Sequence, residues 1–248
     1  MSEDLGKPRP LVTPLSALNR KLRSTAPLPG QVHNAIEGLP FVIRTYAERT
    51  NIVHEGDVPK RCCLILDGWA YRSRSLDQGQ RQITGYFIPG DLPDIESLYL
   101  QVVDQSLVAM PRTTVAFIPH EALSALIQKN FAVAMALWRL TLIDSMRYRE
   151  LVTSLGRRQA TGRMAHLLCE LYVRLRAVGL AEGLRYKLPL TQADLAEALG
   201  ISSVHSNRSL QELRKLDLVT FRNRELIIHD WNGLARAAEF DPAYLHIV

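Results

Sequence analysis

Only three cysteines occur in the 248 residues, two of them adjacent at Cys62 and Cys63, so there is no disulfide framework and no ligand spacing for zinc. A reducing compartment fits. No run of about twenty apolar residues is present to cross a bilayer, and the opening MSEDLGKPRPL lacks the apolar stretch of a secretory signal. The chain is therefore expected to be soluble, unprocessed and cytoplasmic, with no membrane partner. Walker-type phosphate loops, nucleophile motifs and metal-ligand spacings are missing as well, so no enzyme is expected. Repeats and low-complexity tracts are absent. Charge is only weakly one-sided, with 30 Lys and Arg against 25 Asp and Glu and a formal net charge of +5. That permits a polyanionic partner without requiring one. The basic excess is concentrated between Ile143 and Lys187. With 47% hydrophobic residues the chain can bury a substantial core, and its length suits two ordinary domains.

The most informative stretch is LTQADLAEALGISSVHSNRSLQELRKLDL, Leu190 to Leu218. Thr191 followed by Asp194 reads as a capping box with aspartate in place of Glu or Gln, and Leu195, Ala196 and Leu199 then share one apolar face. Gly200 sits where a left-handed backbone ends the first helix, and Ile201 fills the corner. Ser202 can cap a second helix running through Lys215 with Leu210 and Leu213 inward. Two short helices joined this way have helix-turn-helix spacing. Ser203, Val204, His205, Asn207 and Arg208 are then the side chains that face base edges or phosphates, with Thr191, Gln192 and Ser202 flanking them. Ser206 and Ser209 stand where apolar residues are usual, which weakens the inward face. Downstream, Leu218 to Phe221 and Leu226 to His229 flank the polar turn Arg222-Asn223-Arg224-Glu225, a β-hairpin in the position of a wing. Arg222 and Arg224 are placed to touch a sugar-phosphate backbone.

Upstream the pattern differs. Leu15 to Leu22 suits a short helix, after a polar and loose stretch over residues 1 to about 14. Period-two segments follow: Phe41–Tyr46, Asn51–His54, Cys62–Leu66, Trp69–Ser75, Arg81–Phe87 and Thr114–Ile118. Glycines at Gly56, Gly68, Gly79 and Gly90 punctuate them, the mark of a sandwich or barrel-like roll. Alternation within a strand expects one of Cys62 and Cys63 in the core and the other exposed. A helix follows over His120–Gln128, then a long one from Phe131 to about Leu155, apolar nearly all round in its first half. Two buried faces are implied, one on the β-roll and one, carrying Met135, Trp138 and Leu142, on the same helix of a second copy, the other reading being a helix fully buried within a monomer. Gly156 is expected to break the run, Arg158–Ala177 to form a further helix, and Gly179–Gly183 to connect it onward. The expected class is α+β, divided into a tail and short helix (1–34), a β-roll (35–119), a short and a long helix (120–156), and a winged helix-turn-helix (157–248).

This order of parts resembles the Crp/Fnr family of bacterial transcription regulators over about residues 35 to 240. The resemblance rests on the Glu55-Gly56-Asp57 turn, the four glycine spacings, Thr161-Gly162-Arg163 and the segment from Leu190. It implies a cyclic-nucleotide-binding-type roll and a homodimer on palindromic double-stranded DNA, with RNA polymerase as a further partner. The implied effector pocket is degenerate. Family members that bind cyclic AMP hold its phosphate with a Gly-Glu pair and an Arg-Ser pair. Here Gly90 and Asp91 are followed by Asp94 and Ile95 at the first pair and by Gln105 and Ser106 at the second. With several acids nearby and no cation to meet a phosphate, no cyclic AMP binding is expected. Iron-sulfur members use four thiolates, one more than this chain has. Haem would need an axial histidine such as His33, His54 or His120, and a lone histidine on a strand or cap is more often structural. No cofactor is expected. In the reading helix the family's Arg-Glu-Thr-Val-Gly-Arg becomes Ser203 to Arg208, keeping only the last arginine. Arg208 is expected to pair with a guanine, and Val204 to lie against a thymine methyl. The competing use of these parts is a sensor or scaffold subunit acting through protein contacts.

Overall fold

A computed structural model describes residues 13–77 and 79–247, so most of the loose N-terminal stretch and Gln78 of the Asp77-Gln78-Gly79 turn lie outside it. Two helices lead, α1 (Ser16–Arg23) and α2 (Gly30–Glu37), the second of which the sequence pattern did not disclose. Five strands follow: β1 (Val42–Tyr46), β2 (Asn51–Val53), β3 (Arg61–Ser75), β4 (Arg81–Phe87) and β5 (Ser106–Pro119). They form one antiparallel sheet in the order β1-β5-β3-β4, with β2 paired to β5.

β3 and β5 are twice the length of ordinary strands. The two strands expected around Gly68 are one, and the strand expected at Thr114 begins eight residues earlier. Both pass through register shifts near Asp67, which let the sheet bend and continue. Gly68 makes this possible: at φ +77° a Cβ there would stand 2.5 Å from the Arg112 carbonyl oxygen.

The bent sheet is covered on both faces, which corrects the expectation for the cysteine pair. Cys62 faces Leu18, Leu22, Ile36, Leu123 and Leu137 of the helices, while Cys63 faces Ile52, Phe87 and Val115 inside the roll. Both thiols are fully buried. Burial pushes Cys62 and Cys63 well above the ordinary thiol range, so neither is a reactive thiolate.

Beyond the sheet come α3 (His120–Lys129) and the long α4 (Phe131–Arg157), whose N-cap Asn130 accepts from the Ala132 amide. Gly156 does not end α4. It is accommodated in open space, and the break falls at Arg158, which is extended at ψ 146°. Helix α5 (Ala160–Ala177) is followed by β6 (Ala181–Glu182) and β7 (Arg185–Lys187), so the expected connector carries a strand of its own and a second follows it. Then come α6 (Gln192–Leu199), α7 (Ser203–Lys215), the hairpin β8 (Val219–Arg222) and β9 (Glu225–Ile228), and α8 (Trp231–Ala238).

Candidate nucleic-acid interface

The α6–α7 unit is fixed by local chemistry. The Thr191 hydroxyl accepts from the Asp194 amide, and the Asp194 carboxylate accepts from the Thr191 amide at 2.8 Å, which completes the capping box. Gly200 takes φ +63° and closes α6 through its amide to the Ala196 carbonyl. Ser202 accepts from the His205 amide at the head of α7. Leu210 and Leu213 are buried, and so are Ser206 and Ser209. Ser206 is not a defect in that face, because its hydroxyl donates to the Gln192 side-chain oxygen at 3.3 Å.

The opposite face of α7 is open. Ser203, Val204, His205, Asn207 and Arg208 are all exposed, Val204 to 78%. The hairpin β8–β9 turns through Asn223 and Arg224, at φ +54° and +59°, which is the mirror-image turn favoured by two-residue hairpins. Arg222 and Arg224 are exposed on the same unit. Thr191 and Gln192 lie at the head of α6, where Gln192 is half-engaged by Ser206. Two basic residues outside the expected set prove structural: Arg214 donates to the Phe221 carbonyl and ties α7 to the wing, and Arg163 donates to the Leu199 carbonyl and ties α5 to α6.

The positions named for an effector are each engaged by the protein itself. Asp91 is held by Lys21 at 2.8 Å and by Arg174 at 2.9 Å. Burial pushes its carboxyl up, and the Lys21, Arg174 and Arg147 charges outweigh that and hold it well below the usual range. Asp94 accepts from the Cys63 amide, and burial pushes it up to about 7. Gly90 packs under the Ala17 carbonyl, and Ile95 is buried. Gln105 accepts from the Thr84 hydroxyl at 2.6 Å, and Ser106 accepts from the Glu55 amide at 3.0 Å. The expectation of no cation here is corrected, since Arg72 reaches in from β3. Its guanidinium is spent on the Pro93 carbonyl, Glu96 and the Tyr148 hydroxyl. Sequence could not show this, because Arg72 is more than twenty residues from the carboxylate it meets. Beside these residues an open cleft of about 810 Å³ runs between the sheet and α4, lined by Arg72, Glu96, Leu100, Asp104, Tyr148 and Arg149.

The histidines raised as haem ligands lie apart: His54 bonds Asn51, His120 bonds Ser97, and His33 lies 3.8 Å from Glu37. Among the described residues no group of three or more His, Cys, Asp or Glu is placed to hold a metal ion, and no helix is long and apolar enough to cross a membrane.

A double-faced antiparallel sheet, a long helix and a winged helix-turn-helix with an open reading face define a DNA-binding regulator of the two-part kind. Comparison with known proteins agrees. The cyclic nucleotide-binding domain family matches residues 43–130, and the Crp-like helix-turn-helix domain family matches residues 162–237. The transcriptional activator protein FnrL of Cereibacter sphaeroides is 24% identical over 202 residues, 80% of this chain and 81% of that protein. The nitrogen fixation regulation protein FixK of Azorhizobium caulinodans is 24% identical over 209 residues, 84% of this chain and 82% of that one. The fold matches FixK2 from Bradyrhizobium japonicum with a TM-score of 0.73 at 22% identity, over 80% of this chain and 98% of that one. The chain belongs to the Crp/Fnr family and is a DNA-binding transcription regulator.

Proposed function

We propose that the chain works as a homodimer on a palindromic operator, without a cyclic nucleotide as effector. The observation that carries the reading is the exposed line along α4. Phe131, Met135, Trp138, Leu142, Ser145, Arg149 and Val152 are the exposed positions from its start to Val152, at alternating steps of four and three. That is the seam of a two-stranded coiled coil, and five of the seven are large and apolar: Phe131 is 78% exposed, Trp138 59% and Val152 70%. A helix that presents such a line to water is short of a partner, and a second copy supplies the same line by symmetry.

Pairing along this seam gives two α7 helices, with Ser203, Val204, His205, Asn207 and Arg208 entering successive major grooves about 34 Å apart. Thr191, Gln192 and Ser202 flank them, and Arg222 and Arg224 grip the backbone. The occupied state of Asp91, Asp94, Gln105 and Ser106 supports the absence of a cyclic nucleotide. RNA polymerase is the further partner, the compartment is the cytoplasm, and neither catalysis nor a resident cofactor is part of the function.

Sedimentation velocity at micromolar concentration tests the dimer, and selection from a random duplex pool tests the operator. A two-fold-symmetric consensus bound by a dimer is the expected result. A monomer that binds an asymmetric site would overturn it. Calorimetric titration with cyclic AMP and cyclic GMP is expected to show no binding.

A further inference from the structure

We propose that Glu212 is a positioning residue for base reading: it aims the Arg208 guanidinium end-on at one guanine, and Thr161 in turn aims Glu212. The proposal rests on the reading that Arg208 faces a base, and adds what holds it there.

Arg208 is 75% exposed and sits on the open face of α7, where packing does nothing to select its rotamer. Its one hydrogen bond among the described residues runs from Nε to Glu212 Oε1 at 3.3 Å. The other carboxylate oxygen, Oε2, accepts from the Thr161 hydroxyl. Both oxygens of Glu212 are thus committed, one to the reading arginine and one to the first turn of α5. The Thr161 hydroxyl and the Arg208 charge hold the carboxyl below its usual range, so it is ionised wherever DNA binds. The neighbouring Arg214 has no such brace and turns to the Phe221 carbonyl instead.

The donor inventory then decides the geometry. With Nε engaged, Arg208 keeps the parallel Nη1 and Nη2 donors at the tip of its planar fork. These match the O6 and N7 acceptors that guanine shows in the major groove. A carboxylate on a DNA-facing helix is otherwise a liability, since it repels phosphates. Its presence beside Arg208 is explained if its work is orientation. Thr161 gives the arrangement reach: α5 follows the long helix α4, so the seat of α5 on α7 governs how selective the arginine is. Arg163, two residues on, fixes α5 to the end of α6 at the same time.

The test uses the full-length protein on its selected operator and on the operator with the Arg208-read guanine replaced. The readouts are the ratio of the two Kd values and the slope of log K against log salt. Arg208→Ala should collapse the ratio by about ten- to a hundredfold. Glu212→Gln should lower it by roughly three- to tenfold while raising affinity for random duplex and steepening the salt slope by about two, because one guanidinium per protomer, no longer paired with a carboxylate, meets phosphates. Thr161→Val should lower the ratio with the salt slope unchanged, and Thr161→Ser should restore it. A merely structural Glu212 would weaken every duplex alike and leave the ratio standing. If Arg208→Ala collapses the ratio while Glu212→Gln and Thr161→Val keep it, the brace is wrong and the base-reading role stands. If Arg208→Ala keeps the ratio, both fall.

Discussion

Asp91 and Asp94 lie three residues apart, are almost equally buried, and titrate in opposite directions. Partners make the difference: Asp91 meets two cations, whereas Asp94 has one amide and leaves Oδ2 without a hydrogen bond. Burial therefore dominates Asp94, which keeps its proton up to about pH 7 in the folded chain and loses it near its ordinary value of 3.8 in the unfolded one. Between those limits unfolding releases a proton, so raising the pH lowers stability. The contribution is on the order of 2–4 kcal/mol across the window. Asp94→Asn keeps an oxygen for the Cys63 amide and has no proton to lose. Urea denaturation at pH 5 and pH 8 should show a smaller stability difference in the variant than in the wild type, and parallel profiles would refute the assignment. Glycines give a second contrast. Gly68→Ala drives a Cβ into the Arg112 carbonyl and should cost about 1–3 kcal/mol, whereas Gly156→Ala, in helix and open space, should stabilise by about 0.5–1 kcal/mol. Thermal melts decide both signs.

At the scale of elements, the proposed function gives α4 and the wing separate tasks that mutation can part. Leu142→Glu puts a charge into the middle of the exposed seam, 50% open in the single chain. Sedimentation should report a monomer, with helicity kept and operator affinity reduced by at least tenfold, because two half-sites no longer bind together. The Arg222→Ala, Arg224→Ala pair should leave the self-association unchanged and weaken all duplexes about equally, with the salt slope reduced by about four, two contacts from each of two wings. Much of the helix-turn-helix was legible because its determinants are local. Thr191, Asp194, Gly200 and Ser202 each act within three or four residues of themselves, and the hairpin turn is set by two adjacent residues. The exposed line on α4 was half legible. Composition showed that α4 has too many apolar residues for one neighbour, but the choice of Met135, Trp138 and Leu142 over Val133, Ala136 and Leu137 depends on which side the sheet covers.

The whole-molecule arrangement was the least legible, because it depends on residues a hundred positions apart that share no local pattern. The reading unit does not hang from a free hinge. Arg81 on β4 pairs with Glu197 on α6 at 2.7 Å, Arg49 reaches the capping Asp194, the Tyr86 hydroxyl donates to the Asp194 carbonyl, and Gln82 donates to the Ala198 carbonyl. Below them Arg174 of α5 is buried between Asp91, Glu170 and the Tyr86 carbonyl. One apolar cluster crosses the same boundary, joining Trp69, Tyr86 and Met110 of the sheet to Leu168, Leu175, Leu195 and Leu199. A boundary so filled makes the two units one cooperative body, since neither can open without exposing the other's core. Calorimetry should therefore show a single unfolding transition for the intact chain. Arg174→Met removes the shared cation, leaving Asp91 to Lys21 and Glu170 to Arg147 and the Tyr244 hydroxyl, a loss of about 1.5–3 kcal/mol. The cost falls on the contact between the units, so the variant should melt in two steps, with protease cutting first near Arg158, where α4 ends. A single transition merely shifted to lower temperature would mean that the apolar cluster couples the units without Arg174.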